Sequence, residues 1–322
     1  MRRVSYLFVV ALTLLSVGAQ AQKWRFVVAG DGRSDPKANR PEDKNGVNTL
    51  ITGEIAQAVL KEKAKFLLWT GDLALGSKDP AEFETMLMTW RDLMKPLYDK
   101  KVPVLACRGN HESNSGDSDK VWRKVFTGQY AMPGNGPDTE KDLSFFFERG
   151  DVLAIGLDEY TVEKEAIDQA WLDDVLAKHP KPFIFTFAHE PAFMDGAHKD
   201  NLDANPARRD AFWESLIKAG SRVFFCGHDH LYDHMAVTRA TGDPGPELHQ
   251  IVAGTAGAPF YAQGEYTGNN TIWKLKRLAH IDKTYGYLVV DIDGKKATIT
   301  FKGRTAPGVY KAMDTFVYTA GR

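Results

Sequence analysis

The chain has 322 residues, 43% of them hydrophobic, and its 41 basic and 42 acidic residues leave a formal net charge of −1. This length can bury a large core, and the balanced charge argues against a general attraction to nucleic acid polymers. Only two cysteines occur, which excludes a disulfide-stapled scaffold. We expect Cys107 and Cys226 to be small buried residues, with a disulfide as the alternative if their Cα atoms lie within about 7 Å.

The first 21 residues have the pattern of a signal peptide. Arg2 and Arg3 precede an apolar stretch over residues 4–17, and Ala19-Gln20-Ala21 forms a small-residue cleavage site. The stretch is short for a membrane span, and no stop-transfer pattern follows it. We therefore predict an exported protein, periplasmic or secreted and without a membrane span, in which residues 22–322 form a single domain.

Five apolar runs are predicted to be buried strands, because each is rich in β-branched and aromatic residues and ends in glycine or a polar residue. These runs cover residues 24–30, 66–71, 102–109, 183–188 and 223–227. Helical patterns alternate with them over residues 50–63, from residue 80 onward, over 164–178 and over 207–219. Asn48 or Thr49 would cap the first helix and Asp79 the second, and Gly220 would end the last. The alternation predicts an α/β protein.

The last third of the chain changes character. Residues 248–252, 285–292 and 297–301 are strand-like, and Asp293-Gly294 is a hairpin turn signal between the last two runs. Polar segments over 113–142 and 195–206 follow candidate site residues, and we expect them to form loops that wall the substrate site.

Metal-binding side chains follow all five predicted strands. They are Asp31, Asp72, Asn110-His111-Glu112, His189 and His228-Asp229-His230. Taken singly, Asp31 and Asp72 fit turn residues and His189 fits a structural histidine, whereas His228 and His230 can both reach one metal. Because ligands bind outside the carboxyl ends of strands in α/β sheets, the five ends together predict one shared metal site. The mixed donors suit Mn, Fe or Zn, and their number predicts two divalent or trivalent ions.

The order and spacing of these motifs resemble the calcineurin-like metallophosphoesterase superfamily. The resemblance covers residues 24–260 and rests on Asp31, Gly71-Asp72, Gly109-Asn110-His111-Glu112, His189 and Gly227-His228-Asp229-His230. It implies a two-sheet mixed β-sandwich flanked by α-helices, with a dinuclear site on one edge.

The resemblance also implies a role for each side chain. Asp72 would bridge the two ions. Asp31 and His230 would join it on the first ion, and the second ion would take Asn110, His189 and His228. His111 matches a histidine that contacts the phosphate or the leaving group.

Arg33 departs from the family's usual first motif, Asp-x-His, which here reads Asp31-Gly32-Arg33. Arginine has no lone pair to give a metal, so the first site would need water, substrate or another side chain. Purple acid phosphatases in this superfamily use a tyrosine ligand shortly after their first motif. No tyrosine lies between Asp31 and Lys65, which argues against a tyrosinate-bound ferric site. Arg33 could instead clamp phosphate oxygens, and the alternative is a surface or loop-anchoring arginine.

Three further features have two interpretations each. Gly254-Thr255-Ala256-Gly257 resembles a small-residue segment that passes near the metals in relatives, or it is a plain tight turn. His198 could donate a proton, although a solvated loop histidine is the more common case. Glu112 is expected to orient its loop rather than to bind metal.

The predicted function is metal-dependent hydrolysis of a phosphate ester on a small phosphorylated substrate. A hydroxide held by two ions would attack phosphorus, the ions and Arg33 would stabilise the developing charge, and His111 would protonate the leaving group. One alternative is a phosphodiesterase or nucleotidase that uses the same site. The other is a non-catalytic protein that binds metal and phosphate, which the missing ligand at Arg33 would favour.

Overall fold

A computed structural model describes residues 23–320 except 36, 38–40, 42, 195, 197, 200, 262–269 and 271. The predicted signal peptide over residues 1–21 lies outside the described residues. Within the described part of the chain, no helix is both long enough and apolar enough to cross a membrane.

Strands outnumber helices in the part of the chain that the structure describes. The strands are β1 Trp24–Ala29, β2 Asp43–Lys44, β3 Val47–Asn48, β4 Leu67–Trp69, β5 Val104–Ala106, β6 Phe145–Arg149, β7 Val152–Gly156, β8 Phe183–Phe187, β9 Val223–Cys226, β10 Tyr232–Arg239, β11 Leu248–Ala253, β12 Trp273–Ile281, β13 Gly286–Asp293, β14 Lys296–Ala306 and β15 Val309–Thr319. The α-helices are α1 Thr49–Lys61, α2 Pro80–Asp99, α3 Asn110–Ser113, α4 Ser118–Val125, α5 Gln169–Lys178 and α6 Pro206–Ala219. Short 3₁₀ turns cover Gly128–Tyr130 and Leu202–Ala204.

Most strands belong to two mixed sheets. The six-stranded sheet has the order β15-β14-β13-β1-β4-β5, and the seven-stranded sheet has the order β12-β10-β11-β9-β8-β7-β6. Strands β1, β4 and β5 run parallel, as do β7, β8, β9 and β11. The remaining pairs in both sheets are antiparallel. This architecture confirms the predicted two-sheet α/β sandwich.

Strand β8 shows how the core is divided between the two faces of its sheet. Successive residues of a strand point to opposite faces. Phe185 of β8 faces the other sheet, where its ring meets Phe26 edge to face with 5.2 Å between centroids. Its neighbour Ile184 belongs instead to the cluster that includes Leu172 of α5 and Leu216 of α6. Each such buried side chain contributes about 1.5–3 kcal/mol of hydrophobic stabilisation.

The opposite face of the six-stranded sheet is covered by α1 and α2. Trp69 of β4 packs edge to face on Trp90 of α2, with 5.1 Å between ring centroids, and Ile55 of α1 is fully buried in the same cluster. The molecule therefore has four layers, in the order helix, sheet, sheet, helix. Cys107 and Cys226 are buried thiols that form no disulfide with each other, as the sequence predicted.

Helix ends follow the predicted caps closely. The side chain of Asn48 accepts a hydrogen bond from the third residue of its helix, and Asp79 accepts one from the second residue of α2. Gly220 ends α6 with φ +85°, a left-handed conformation that glycine adopts without strain. The third predicted helix begins at Gln169 instead of residue 164, because Asp168 accepts from the Trp171 N–H and caps the helix there.

Candidate metal centre

The candidate site lies where the two sheets meet. Strands β1, β4 and β5 run parallel in one sheet, and β8 and β9 run parallel in the other, so the carboxyl ends of each set lie together. Asp31, Asp72 and His189 are all buried, and one ligand atom from each lies within 4.8 Å of the others. Asp31 and Asp72 follow strands of the six-stranded sheet, whereas His189 follows a strand of the other. The site therefore draws donors from both sheets.

Three of the candidate ligands have a left-handed backbone. The φ angles are +64° at Asp31, +49° at Asp72 and +69° at His228. Residues other than glycine rarely adopt this region, and each such residue costs about 1–3 kcal/mol. Each strained residue comes shortly after a strand, at the position of a candidate ligand.

Two glycines allow the close approach of the ligand loops. Gly71 has φ +85°, and a Cβ at this position would lie 2.5 Å from Nδ1 of His189. A Cβ at Gly227 would lie 2.2 Å from Oδ2 of Asp31. Any larger residue at either position would displace a candidate ligand.

A first group of donors converges around the Nε2 atom of His189. This atom lies 3.4 Å from Oδ1 of Asp72, 3.1 Å from Oδ1 of Asn110 and 3.1 Å from Nδ1 of His228. The other ring nitrogen of His189 faces the carbonyl of Thr70 at 2.8 Å and must donate to it, so Nε2 carries the lone pair. A carboxylate, an amide oxygen and two imidazoles directed at one point form a donor set that fits a metal ion.

The electrostatics of this group favour a bound cation. Burial lowers the pKa of His189 to about 4, although Asp72 opposes the shift, so the imidazole is neutral at neutral pH and able to coordinate. Burial would raise the pKa of Asp72, but the neighbouring His189, His111 and Arg33 lower it overall. Burial and the adjacent Asp72 raise the pKa of Asp31 well above its ordinary value, because two buried carboxylates repel each other.

A second group contains the donors that the resemblance assigns to the first ion. Nε2 of His230 lies 3.6 Å from Oδ1 of Asp31, and Nδ1 of His230 donates to the carbonyl of Pro259 at 2.6 Å. The backbone N–H of His228 donates to Asp31 at 3.0 Å. Burial lowers the pKa of His230 well below its ordinary value, and Arg33 lowers it further.

Arg33 lies inside the site. Arg33 is only 7% exposed, and its Nε atom is 3.6 Å from Oδ2 of Asp72. Its Nη2 atom donates to the hydroxyl of Tyr261 at 2.9 Å. Its burial excludes a surface arginine, whereas these contacts do not decide between a phosphate clamp and a loop anchor.

His111 stands at the open side of the site. Its Nδ1 atom donates to the carbonyl of Leu75, and its Nε2 atom lies 3.8 Å from Oδ2 of Asp72. The side chain is 26% exposed, whereas the candidate ligands Asp72 and His189 have at most 2% exposure. His111 can therefore meet both the site and a molecule that arrives from solvent.

Glu112 and Glu159 hold the ligand loops from behind. Glu112 is buried and accepts from the backbone N–H groups of Ala74 and Gly109, as expected for a residue that orients its loop. Glu159 accepts from the N–H groups of His189 and Glu190 at 2.9 and 2.7 Å. Sequence reasoning missed Glu159, because nothing local links it to a strand end 30 residues later.

The structure brings two further residues to the site, His198 and Tyr261. His198 is not a solvated loop histidine: its Nδ1 atom is 3.1 Å from Oδ1 of Asp229, and its ring stacks on His228 with 3.9 Å between centroids. Tyr261 stacks on His230 at 4.1 Å and had no signal of its own. It follows the small-residue segment 254–257, in which a Cβ at Gly254 would lie 3.3 Å from Oδ2 of Asp31. That segment does pass beside the site.

The four-layer fold, with carboxylates, imidazoles and an amide oxygen gathered at its strand ends, defines the class of metallophosphoesterases. Residues 45–232 match the family model described as calcineurin-like phosphoesterase, and the chain belongs to this family. It is thus a member of a family of phosphoric ester hydrolases.

Known proteins share sequence or fold with this chain. The chain is 27% identical over 197 residues to purple acid phosphatase 18 of Arabidopsis thaliana, a match that covers 59% of this chain and 44% of that protein. Purple acid phosphatase PPD1 from yellow lupin (Lupinus luteus) seeds has a similar structure, with a TM-score of 0.65 at 16% identity over 93% of this chain and 54% of that one. GAP50 of Plasmodium superposes with a TM-score of 0.63 at 15% identity, over 93% and 90% of the two chains. The chain spans less than half the length of the Arabidopsis relative.

Proposed function

We propose that this protein hydrolyses phosphate esters of small molecules with the help of metal bound at the junction of the two sheets. The observation that carries the proposal is the convergence of Asp72, Asn110 and His228 on Nε2 of His189, at 3.1–3.4 Å. Such a set of two imidazoles, a carboxylate and an amide oxygen suits Mn, Fe or Zn.

The bound metal would supply Lewis acidity, which activates water and neutralises charge on the phosphate. The chain's own residues would do the rest. His111, with its Nδ1 proton committed to Leu75, presents Nε2 at the open side of the site. Protonated on both ring nitrogens, it would pass the Nε2 proton to the departing oxygen and keep the Nδ1 proton. Arg33 would supply positive charge toward the phosphate oxygens.

A cavity beside His111 offers room for the leaving group. It has a volume of about 300 Å³ and is lined by Leu75, Gly76, Ser77, Lys78, Asn110, His111, Asn114 and Ser115. Its lining includes hydroxyl, amide and ammonium groups that could form hydrogen bonds with a polar leaving group. Part of this wall comes from the predicted loop segment 113–142.

The test combines metal analysis with a substrate panel. The purified protein, loaded separately with Mn, Fe or Zn, is assayed on aryl phosphate monoesters, aryl diesters and nucleotides. We expect turnover that Asp72→Asn abolishes together with bound metal, while Asp291→Asn, which lies in β13 and pairs with Arg25, retains both. Full turnover by Asp72→Asn after metal loss would refute the proposal. Metal binding without hydrolysis of any ester would instead support a non-catalytic binding protein.

We also infer that the protein is exported, on the strength of residues 1–21. The mature chain recovered from the producing cell's periplasm or medium should begin at Gln22, as N-terminal mass analysis would show. A cytosolic chain that begins at residue 1 would contradict this inference.

A further inference from the structure

Arg33 enters the site from a position where the family usually has a metal-binding histidine. Its backbone forms an isolated β-bridge with Val47, which fixes the residue beside the end of β1. The side chain turns inward, so that Nε lies 3.6 Å from Oδ2 of Asp72. For an ion beside Asp72 at this position, the second group offers Asp31 and His230 as further donors. Arg33 is not a donor, because a guanidinium has no lone pair.

The guanidinium is held in place at its far end. Nη2 donates to the Tyr261 hydroxyl at 2.9 Å, and Nη1 donates to the carbonyl of Ser34 at 3.3 Å. The Tyr261 ring in turn stacks on the His230 ring, with 4.1 Å between centroids and 15° between planes. The cation is therefore fixed between Tyr261 and Asp72 and is not a mobile surface group.

The guanidinium of Arg33 already lies beside a carboxylate that a first metal ion would bind, with Nε 3.6 Å from Oδ2 of Asp72. A divalent ion between Asp31, Asp72 and His230 would face this buried, immobile cation in a medium of low dielectric constant. The residues present at the first position therefore do not fit a metal ion, whereas those around His189 do.

We propose that the Arg33 guanidinium, anchored by Tyr261, takes the place of the first metal ion, so that the protein binds a single ion between Asp72, Asn110, His189 and His228. Arg33 then supplies the second positive charge of the site. The number of bound metal ions does not depend on the proposed function, whereas a role of the Arg33 charge toward phosphate rests on it.

The experiment counts metal ions per chain. Wild-type protein and the variants Arg33→His and Arg33→Gly are loaded with Mn²⁺, and the bound metal is measured by elemental analysis and by calorimetric titration. We expect one tight ion in the wild type. A second should appear in Arg33→His, which creates the Asp-x-His pattern, and in Arg33→Gly, which removes the cation and leaves room for water ligands. Arg91→His, remote from the site on α2, is the matched control and should stay at one ion.

Electron paramagnetic resonance gives an independent reading of the same question. An isolated Mn²⁺ gives a six-line spectrum, whereas two neighbouring ions couple and change it. We expect the isolated signal in the wild type and coupling in Arg33→His. Tyr261→Phe keeps the ring stack but releases Nη2 of Arg33, so it should raise the affinity for a second ion at least tenfold.

Two tight ions in the wild type would overturn the inference. So would a single ion in both Arg33→His and Arg33→Gly, because Arg33 would then not be what excludes the second. If the wild type binds one ion but hydrolyses no phosphate ester, the proposed function fails while the inference on metal number holds.

Discussion

Asp72 follows a strand of the six-stranded sheet and His189 follows a strand of the seven-stranded sheet, and their ligand atoms lie 3.4 Å apart. One metal ion bound to both would cross-link the two halves of the sandwich. A bound metal would therefore stabilise the contact between the sheets in addition to any role in catalysis. Metal occupancy should change the stability of the whole fold.

We predict that removal of metal by a chelator lowers the melting temperature. A ligand that binds only the folded state stabilises it by about 2.7 kcal/mol at a free concentration 100-fold above its dissociation constant. Differential scanning calorimetry with and without chelator measures the shift. Asp72→Asn should melt at the same temperature under both conditions, and a wild-type melting curve that ignores the chelator would contradict a metal link between the sheets.

Gly71→Ala should weaken metal binding, whereas Gly220→Ala should not. Both glycines have φ +85°, so alanine costs roughly 1–3 kcal/mol of backbone strain at either position. Only at Gly71 would the new Cβ meet a side chain, Nδ1 of His189, whereas nothing lies within 4 Å at Gly220. We expect Gly71→Ala to lose more unfolding free energy than Gly220→Ala, and a tenfold or greater loss of metal affinity in Gly71→Ala alone. Equal metal affinity in the two variants would rule out this packing argument.

His111→Asn should lower kcat by about 10²–10⁴-fold without loss of metal, because a proton donor rather than a ligand is removed. The defect should be largest for esters of poorly acidic alcohols and small for nitrophenyl esters, whose leaving groups need no proton. His179→Asn, at the end of α5 and bonded to Glu148, is the control and should leave turnover unchanged. A loss that is the same for every leaving group would argue against proton donation.

A histidine pair within the paired strands β10 and β11 should make the fold acid-sensitive. Nε2 of His234 lies 2.9 Å from Nδ1 of His249, and His234 also meets Asp314 of the other sheet at 3.0 Å. Burial lowers the pKa of His249 to about 3, with His234 and Arg222 adding to the shift. Glu247, with its carboxylate 3.7 Å from His249, is the acidic group on its other side.

The sign of the effect follows from proton uptake. Below about pH 6.5 the unfolded chain protonates this histidine, while the folded chain keeps it neutral down to about pH 3, so stability falls as the pH drops through that window. The lowered pKa of Asp314 acts in the same direction at the acid end. Thermal melts of wild type and His249→Gln between pH 4 and 8 should show a shallower acid decline in the variant. Parallel curves would refute the assignment.

Much of the fold follows from local sequence rules. Asn48, Asp79 and Gly220 each act on backbone groups within a few residues, so their helix ends could be predicted. The loop predicted over residues 113–142 instead contains α4, an amphipathic helix whose polar residues masked its three buried side chains. Strands β2, β3, β6, β7, β10, β12 and β15 were not predicted. Of these, β12 and β15 contain charged residues and largely alternate between partly buried and exposed positions.

The site residues also form two groups, those that local sequence predicts and those that it does not. The ligand candidates could be found because each directly follows an apolar strand. Tyr261 and Glu159 could not, because their partners Arg33 and His189 lie 228 and 30 residues away, and only the folded sheets bring them together. The sequence did reveal the missing histidine at Arg33, but not that its guanidinium lies inside the site.

At Asp31, Asp72 and His228 the left-handed backbone lowers the stability of the fold, while the side chain is a candidate metal ligand. Glycine would adopt those angles without strain, and replacing Asp31 by glycine would also remove a buried carboxylate that repels Asp72. A library of variants selected for heat resistance in the absence of metal should therefore accumulate glycine at these positions and lose metal binding. Selection with metal present should keep Asp72 and His228, because the bound ion offsets the strain at these two ligands.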